Sequence, residues 1–264
     1  MLTFIIPVKS RKVTKSWEIL SKLFERTVKS VCNQTSPNFR VVVVCNEKPN
    51  IQFEHPHVHY VEVDFLPFDI ATAEEKQLEG YAYAASSDIA NRNADKARRI
   101  LVGIDYASKF EPSHIMVVDA DDCVNRYLAE YVQQHQKCAG WVFKKGYMYQ
   151  EKSKFIYLNR KNFHQISGTS IIIRSDLINL LFTKTTFYNH LTDDSNLQPL
   201  PFPGALYSMG NGENILASNA IISQMKNATL KGGIVKIIEK ISKYRILFVS
   251  PAITNDFGLY NLSF

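Results

Sequence analysis

Asp119-Ala120-Asp121-Asp122 closes an apolar run, Ile115 to Val118, and puts three carboxylates where a buried strand should end. Unpaired carboxylates beside an apolar core are costly and repel one another, so a cation or a set of donors must compensate them. Read as an extended chain, Asp119 and Asp121 project to one side and Asp122 to the other. The D-x-D spacing can then offer two carboxylates to one hard cation, or to a cation and a ribose. A magnesium or manganese ion held there would bridge a diphosphate and neutralise charge on a leaving nucleotide. The competing role for Asp121 or Asp122 is capping of a helix expected from Val124 to Lys137.

The elements that must position this triplet follow from hydrophobic periodicity. Leu2 to Val8 reads as a strand, and Ile19, Leu20, Leu23, Phe24, Thr27, Val28 and Val31 recur at helical spacing behind it. After the Ser36-Pro37-Asn38 turn, Phe39 to Cys45 is a β-branched run of the kind buried on both faces of a parallel sheet. Val58 to Val63 is a third strand, a polar region of poor periodicity runs from Phe65 to about Ser87, and Asn91 to Lys109 is a helix. Beyond the triplet the pattern predicts short strands at Gly140 to Phe143 and Thr169 to Arg174 and a helix from Asp176 to Phe182. Strands alternating with helices imply a mainly parallel sheet with helices on both faces, which binds ligands beyond the carboxyl ends of its strands, after Val8, Cys45, Val63 and Val118.

A chain of 264 residues, 45% hydrophobic and 21% charged, can form one α/β domain over residues 1–264, and no linker or repeat divides it. A net charge of +6 suits phosphorylated ligands or an anionic surface, while the lack of basic runs and of paired Cys/His spacing argues against nucleic acid. Cys32, Cys45, Cys123 and Cys138 show no C-x-x-C spacing and read as reduced thiols. Neither a leader nor a membrane span is evident, so a cytoplasmic protein is expected.

The opening strand FIIPVKS and the strand IMVVDADD resemble, in order and spacing over residues 1 to about 125, the GT-A fold glycosyltransferases, in particular the large inverting glycosyltransferase family 2. The resemblance implies a single Rossmann-like GT-A domain. Its nucleotide-sugar-binding half would be residues 1–125 and its acceptor-binding half residues 126–264. It further implies a UDP- or GDP-linked sugar donor, Mn2+ or Mg2+ held by Asp119 and Asp121, and a saccharide or lipid-linked acceptor. Pro7, Val8 and Lys9 match the turn beneath the nucleoside, and Asn46-Glu47 falls where the family has an acid contacting the base, although the usual acid-rich turn is here CNEKPN. Lys96 and Arg99 occupy the place of the family's diphosphate-binding base; an exposed helix face with an Asp95–Arg99 pair is their other reading.

An inverting transferase needs a base at the acceptor hydroxyl, and Asp194, Asp193 and Glu213 are the candidates, in that order. His190 is a further metal-ligand candidate, and Ser167, Gly168 and Thr169 resemble residues flanking the acceptor. Tyr147, Tyr149, Phe155 and Tyr157 can stack on a sugar or fill a core, and Gly232 to Tyr244 reads as a basic amphipathic helix for docking or peripheral membrane contact. Two other functions share these residues. A nucleotidyltransferase would normally open with a Gly-rich loop that PVKSRKVTK lacks, and a nucleotide-sugar-binding module without catalysis would bind and not turn over.

Overall fold

Strand β1 (Leu2–Pro7) is buried along its whole length, as a strand covered on both faces must be. The computed structural model describes residues 1–79, 88–182, 196–211 and 243–262. On either side of β1 lie β2 (Phe39–Cys45) and β4 (His114–Val117), both parallel to it, and β3 (Val58–Glu62) continues the parallel set beyond β2. Next to β4 the direction reverses: β9 (Ile171–Arg174) runs antiparallel to β4 and to β6 (Gly140–Val142), and β10 (Gln198–Pro199) closes the seven-stranded sheet.

Alternate residues of β1 face different helices. Phe4 and Ile6 enter the main core with Leu20, Phe24, Val28 and Val31 of α1 (Trp17–Cys32), whereas Ile5 packs with Ala97 and Ile100 of α3 (Asp88–Ser108). Helix α1 starts at Ser16, whose hydroxyl accepts a hydrogen bond from the Ile19 N–H at 3.3 Å. Gly103 is the close-approach residue of α3: a Cβ there would lie 2.6 Å from Ile5 Cγ2. The short helix α2 (Ala73–Leu78) begins with a capping box between Thr72 and Glu75.

A second sheet of five strands has the order β12 (Tyr244–Phe248), β8 (Phe155–Asn159), β7 (Gly146–Gln150), β11 (Ala205–Met209), β5 (Cys123–Val124). The chain passes from the first sheet to the second through residues 118–122, so the acidic residues form the junction between the sheets. Helix α5 (Pro251–Phe257) packs Ile253 and Phe257 against Cys123, Tyr149 and Ile156.

Two expected elements differ, and a third falls almost wholly outside the described residues. The helix expected from Val124 is only α4 (Leu128–Gln134), because Cys123 and Val124 pair with Leu206 and Ala205 as a strand. The segment after β9 is a 3-10 helix, Ser175–Leu181. Of the amphipathic helix expected over Gly232 to Tyr244, all but Lys243 and Tyr244 lies outside the described residues, and Tyr244 begins β12. No described helix is long and apolar enough to cross a membrane. All four cysteines are free, with Cys45 and Cys123 buried.

Candidate functional site

The chain builds β1, β2 and β3 outward in one direction and then returns to the other side of β1 with β4. At such a switch point the loops leaving the two neighbouring strands diverge and open a crevice at the strands' carboxyl ends. Lys9 follows β1 and Asp119 follows β4 at that edge. Residues 119–122 form a turn closed by the Asp122 N–H donating to the Asp119 carbonyl at 3.1 Å. This corrects the extended reading: the carboxylates are placed by the turn and its neighbours, not by strand alternation.

Asp119 is ion-paired with Lys96 of α3, and its backbone N–H donates to Thr169 Oγ1 at 2.9 Å. Gly168 lies against this pair, where a Cβ would sit 2.8 Å from Lys96 Nζ and 3.0 Å from Asp119 Oδ2. Asp121 accepts a hydrogen bond from Asn211 Nδ2 at 2.7 Å. Burial, and then the neighbouring charge of Asp119, push its carboxyl up to about 6. Asp122 is fully buried and accepts from the Ser208 N–H at 3.1 Å and from Ser167 Oγ at 3.2 Å. Its carboxyl is raised well above the ordinary range by burial first and by Asp121 and Asp119 after that. Asp122 does not cap α4, whose N-cap is Tyr127 with no side-chain bond.

Behind the turn lies a buried polar network that the sequence reading missed. Arg26 of α1 holds Glu151 in two hydrogen bonds, at 2.5 and 3.1 Å, and Arg26 Nη2 donates to Ser208 Oγ at 3.2 Å. Asn211 Nδ2 reaches the same Ser208 Oγ at 3.2 Å, so Asp121 is tied through Asn211 and Ser208 to the Arg26–Glu151 pair. The legible signal was Arg26 itself, a charge set among Leu23, Phe24, Thr27 and Val28 of an apolar helix face. Ser208, Glu151 and Asn211 carry no comparable mark in the sequence.

The other predicted residues fall on both sides of the junction. Val8 is buried, and its N–H donates to the Val44 carbonyl at 2.8 Å, which carries the β1–β2 ladder past Pro7. Glu47 receives Ser10 Oγ at 3.1 Å and the Arg11 N–H at 3.0 Å, fixing the loop after β1. Asn46 Nδ2 donates to the carbonyls of Val63 and Phe65, both at 2.9 Å. Asn46 and Glu47 line an open cleft of about 200 Å³ with Ser10, Lys12, Asp64 and Phe65.

Lys96 and Arg99 separate. The Arg99 guanidinium is 1% exposed and is committed to Asp95 at 3.0 Å and Asn46 Oδ1 at 2.7 Å. It realises the Asp95 pair of the alternative reading, but on a buried face rather than an exposed one, because its i,i+4 position turns it toward Asn46 and the Phe65 loop. Arg98 joins it, with its guanidinium carbon 3.8 Å from the ring centroids of Phe65 and Phe68. Asp193, Asp194, Glu213 and His190 lie outside the described residues. Among the described residues, no three Asp, Glu, His or Cys side chains converge as a metal site. Tyr149 is buried and donates to Asn261 Oδ1 at 3.0 Å, and Tyr147 meets Phe257 edge-on at 5.3 Å, so both serve the core.

No family model matches the chain, and no curated protein matches it. Solved structures to which it is similar include S. aureus TarS, at 11% identity and a TM-score of 0.37, over 90% of this chain and 41% of that one. S. aureus TarS 1–349 in complex with UDP is similar at 12% identity and a TM-score of 0.37, over 79% and 60% of the two chains. The glycosyltransferase GlyE of Streptococcus pneumoniae TIGR4 is similar at 10% identity and a TM-score of 0.31, over 94% and 54%. The chain thus spans less than two thirds of the length of each of these three structures.

Proposed function

We propose that the chain is a glycosyltransferase that takes a sugar from a nucleoside-diphosphate donor bound at the β1–β4 switch point. The observation that carries this reading is the acid turn: Asp119 and Asp121 stand together at the carboxyl end of β4, at the crevice edge, with Lys96 beside them. The cleft lined by Asn46, Glu47 and Asp64, at the ends of β2 and β3, would take the nucleoside. The phosphates would then lie toward Asp119.

The acid turn fits Mn2+ or Mg2+. Asp121 is a carboxylate whose ionised form is disfavoured by burial and by Asp119, so a divalent cation supplies the charge it lacks. Hard cations accept one or two protein carboxylates and complete their shell with substrate phosphates and water, which is consistent with two ligands rather than three. Asp119 and Asp121 would hold the ion, which when bound would neutralise charge gathering on the departing diphosphate. Lys96 places an ammonium at the same charge, and Gly168, lacking a side chain, leaves a ligand room to approach it. Asp122, held by Ser167 and Ser208, fixes the turn from behind.

Asp121→Ala should leave the fold intact and abolish metal-dependent binding of the preferred nucleotide, as read by calorimetry with and without manganese. Undiminished metal-dependent affinity would sink the assignment. Inversion rests on the resemblance and requires a carboxylate base. Among Asp194→Asn, Asp193→Asn and Glu213→Gln, one variant should lower turnover by roughly 100-fold while donor affinity stays near wild type. Three variants with normal turnover would overturn the inverting mechanism.

A further inference from the structure

Asp119, a carboxylate suited to a divalent cation, is already engaged by a cation of the chain's own. Lys96 is ion-paired with Asp119 Oδ1, and the two side chains are only 17% and 25% exposed. Two positive charges on one carboxylate repel each other, and a pair shielded from water is screened little by salt. An ion bound at Asp119 and an ammonium left in place there therefore compete.

The partners differ in freedom. Asp119 is pinned through its backbone, since its N–H donates to Thr169 Oγ1 at 2.9 Å and its carbonyl accepts the Asp122 N–H at 3.1 Å. Lys96 carries its charge at the tip of a flexible four-carbon stem, so it is the partner that gives way. Space for an anion borders the pair at Gly168, where a Cβ would stand 2.8 Å from Lys96 Nζ. A phosphate entering there offers Lys96 a charge-assisted hydrogen bond in place of the one it gives up.

We propose that Lys96 is an exchange cation, which holds Asp119 until a nucleoside diphosphate arrives, then moves to the diphosphate and releases Asp119 to a divalent cation. Metal and nucleotide then bind cooperatively, and by linkage each strengthens the other by the same factor. The inference rests on the glycosyltransferase reading above and adds to it a coupling between the two ligands.

Manganese binding, read from the electron paramagnetic resonance of the free ion with and without UDP or GDP, tests it on wild type, Lys96→Met and Arg92→Met. Methionine keeps an unbranched stem and removes the charge. A cation beside a carboxylate weakens its hold on another positive charge by about tenfold or more, as it does for a proton. Lys96→Met should therefore bind manganese alone about tenfold more tightly than wild type. Its nucleotide affinity at saturating manganese should fall by a similar factor, so the strengthening of manganese binding by nucleotide, about fivefold or more in wild type, should collapse toward one. A lysine that merely braced the helix would weaken both ligands on removal. Arg92, four residues earlier on α3, pairs with Asp69 at 3.9 Å, and Arg92→Met should bind manganese alone as wild type does. Far-ultraviolet circular dichroism should show both variants folded; Lys96→Gln, with the same expected gain for manganese, serves if Lys96→Met is not. The inference is overturned if the folded Lys96 variant gains no affinity for manganese alone, or if Arg92→Met gains as much. Coupling in wild type that the Lys96 variant keeps would also overturn it while sparing the proposed activity. Wild type that binds neither nucleotide in a manganese-dependent way would remove the proposed activity and the inference together.

Discussion

At Asp121 two effects oppose each other: burial and the charge of Asp119 favour the neutral acid, while the amide of Asn211 favours the carboxylate. The first pair wins and raises the carboxyl from 3.8 to about 6. A folded-state value above the unfolded one means that the folded chain holds a proton the unfolded chain has already released. The stability this proton confers is fully present below the unfolded value and is lost as pH rises through about 6. Metal-free wild type should therefore lose thermal stability relative to Asp121→Asn between about pH 4 and pH 7. Parallel melting curves for the two proteins over that range would contradict the assigned environment. The acids of the turn were readable as a chemical signal because carboxylates at the end of an apolar strand have no cheap structural explanation. Their partners were not readable, since Thr169, Ser208 and Asn211 lie 50, 86 and 90 residues away along the chain from the acids they touch.

Helix α3 illustrates what an element adds. Its core-facing positions were evident from periodicity: of Ala94, Ala97, Ile100, Leu101, Ile104 and Tyr106, the first three are buried and the last three half-buried. The fates of Lys96, Arg98 and Arg99 were not evident, because three basic residues within one turn look alike in sequence. They diverge once the helix is docked: Lys96 reaches Asp119, while Arg98 and Arg99 clamp the loop at Phe65. The docking distance is set by Gly103 against Ile5 and Val44. Gly103→Val should push the helix off the sheet, costing about 1–3 kcal/mol in urea denaturation from overpacking alone. It should also weaken nucleotide binding by moving Lys96. Normal stability together with normal affinity would show that the helix can slide without consequence.

On the scale of the whole molecule, a buried ion pair ties α1, which packs on the first sheet, to the end of β7 in the second. Arg26 is fully buried and the Glu151 side chain nearly so, 125 residues apart in sequence, and Arg26 also donates to the Tyr260 carbonyl at 3.4 Å. Such a pair adds little net stability compared with apolar packing, yet leaving one partner alone is expensive. Arg26→Met should cost roughly 3–5 kcal/mol, and Arg26→Met/Glu151→Met should cost distinctly less than the sum of the single changes. Additive single costs in denaturant titrations would mean that the two groups do not act as a pair. Because Ser208 and Asn211 hang from this network, the single variants should also loosen Asp121 and reduce metal-dependent nucleotide affinity.

What the sequence alone determined is local or periodic. It includes the parallel strands β1, β2, β3 and β4, the helices α1 and α3, and the acidic residues at the end of β4, but not the turn they form. Each is announced by a run or repeat of apolar residues with a break at its end. The tertiary structure decided whatever depends on pairing between distant segments. Cys123-Val124 becomes a strand instead of a helix start because β11 offers it a partner. The loop at Phe65 and Phe68 is held by arginines on α3, and the aromatic residues of β7 and β8 divide between a core and an exposed ribbon according to the register with β12. Backbone hydrogen-bond partners and the sharing of buried charge are properties of the folded neighbourhood, and no single stretch of chain contains them.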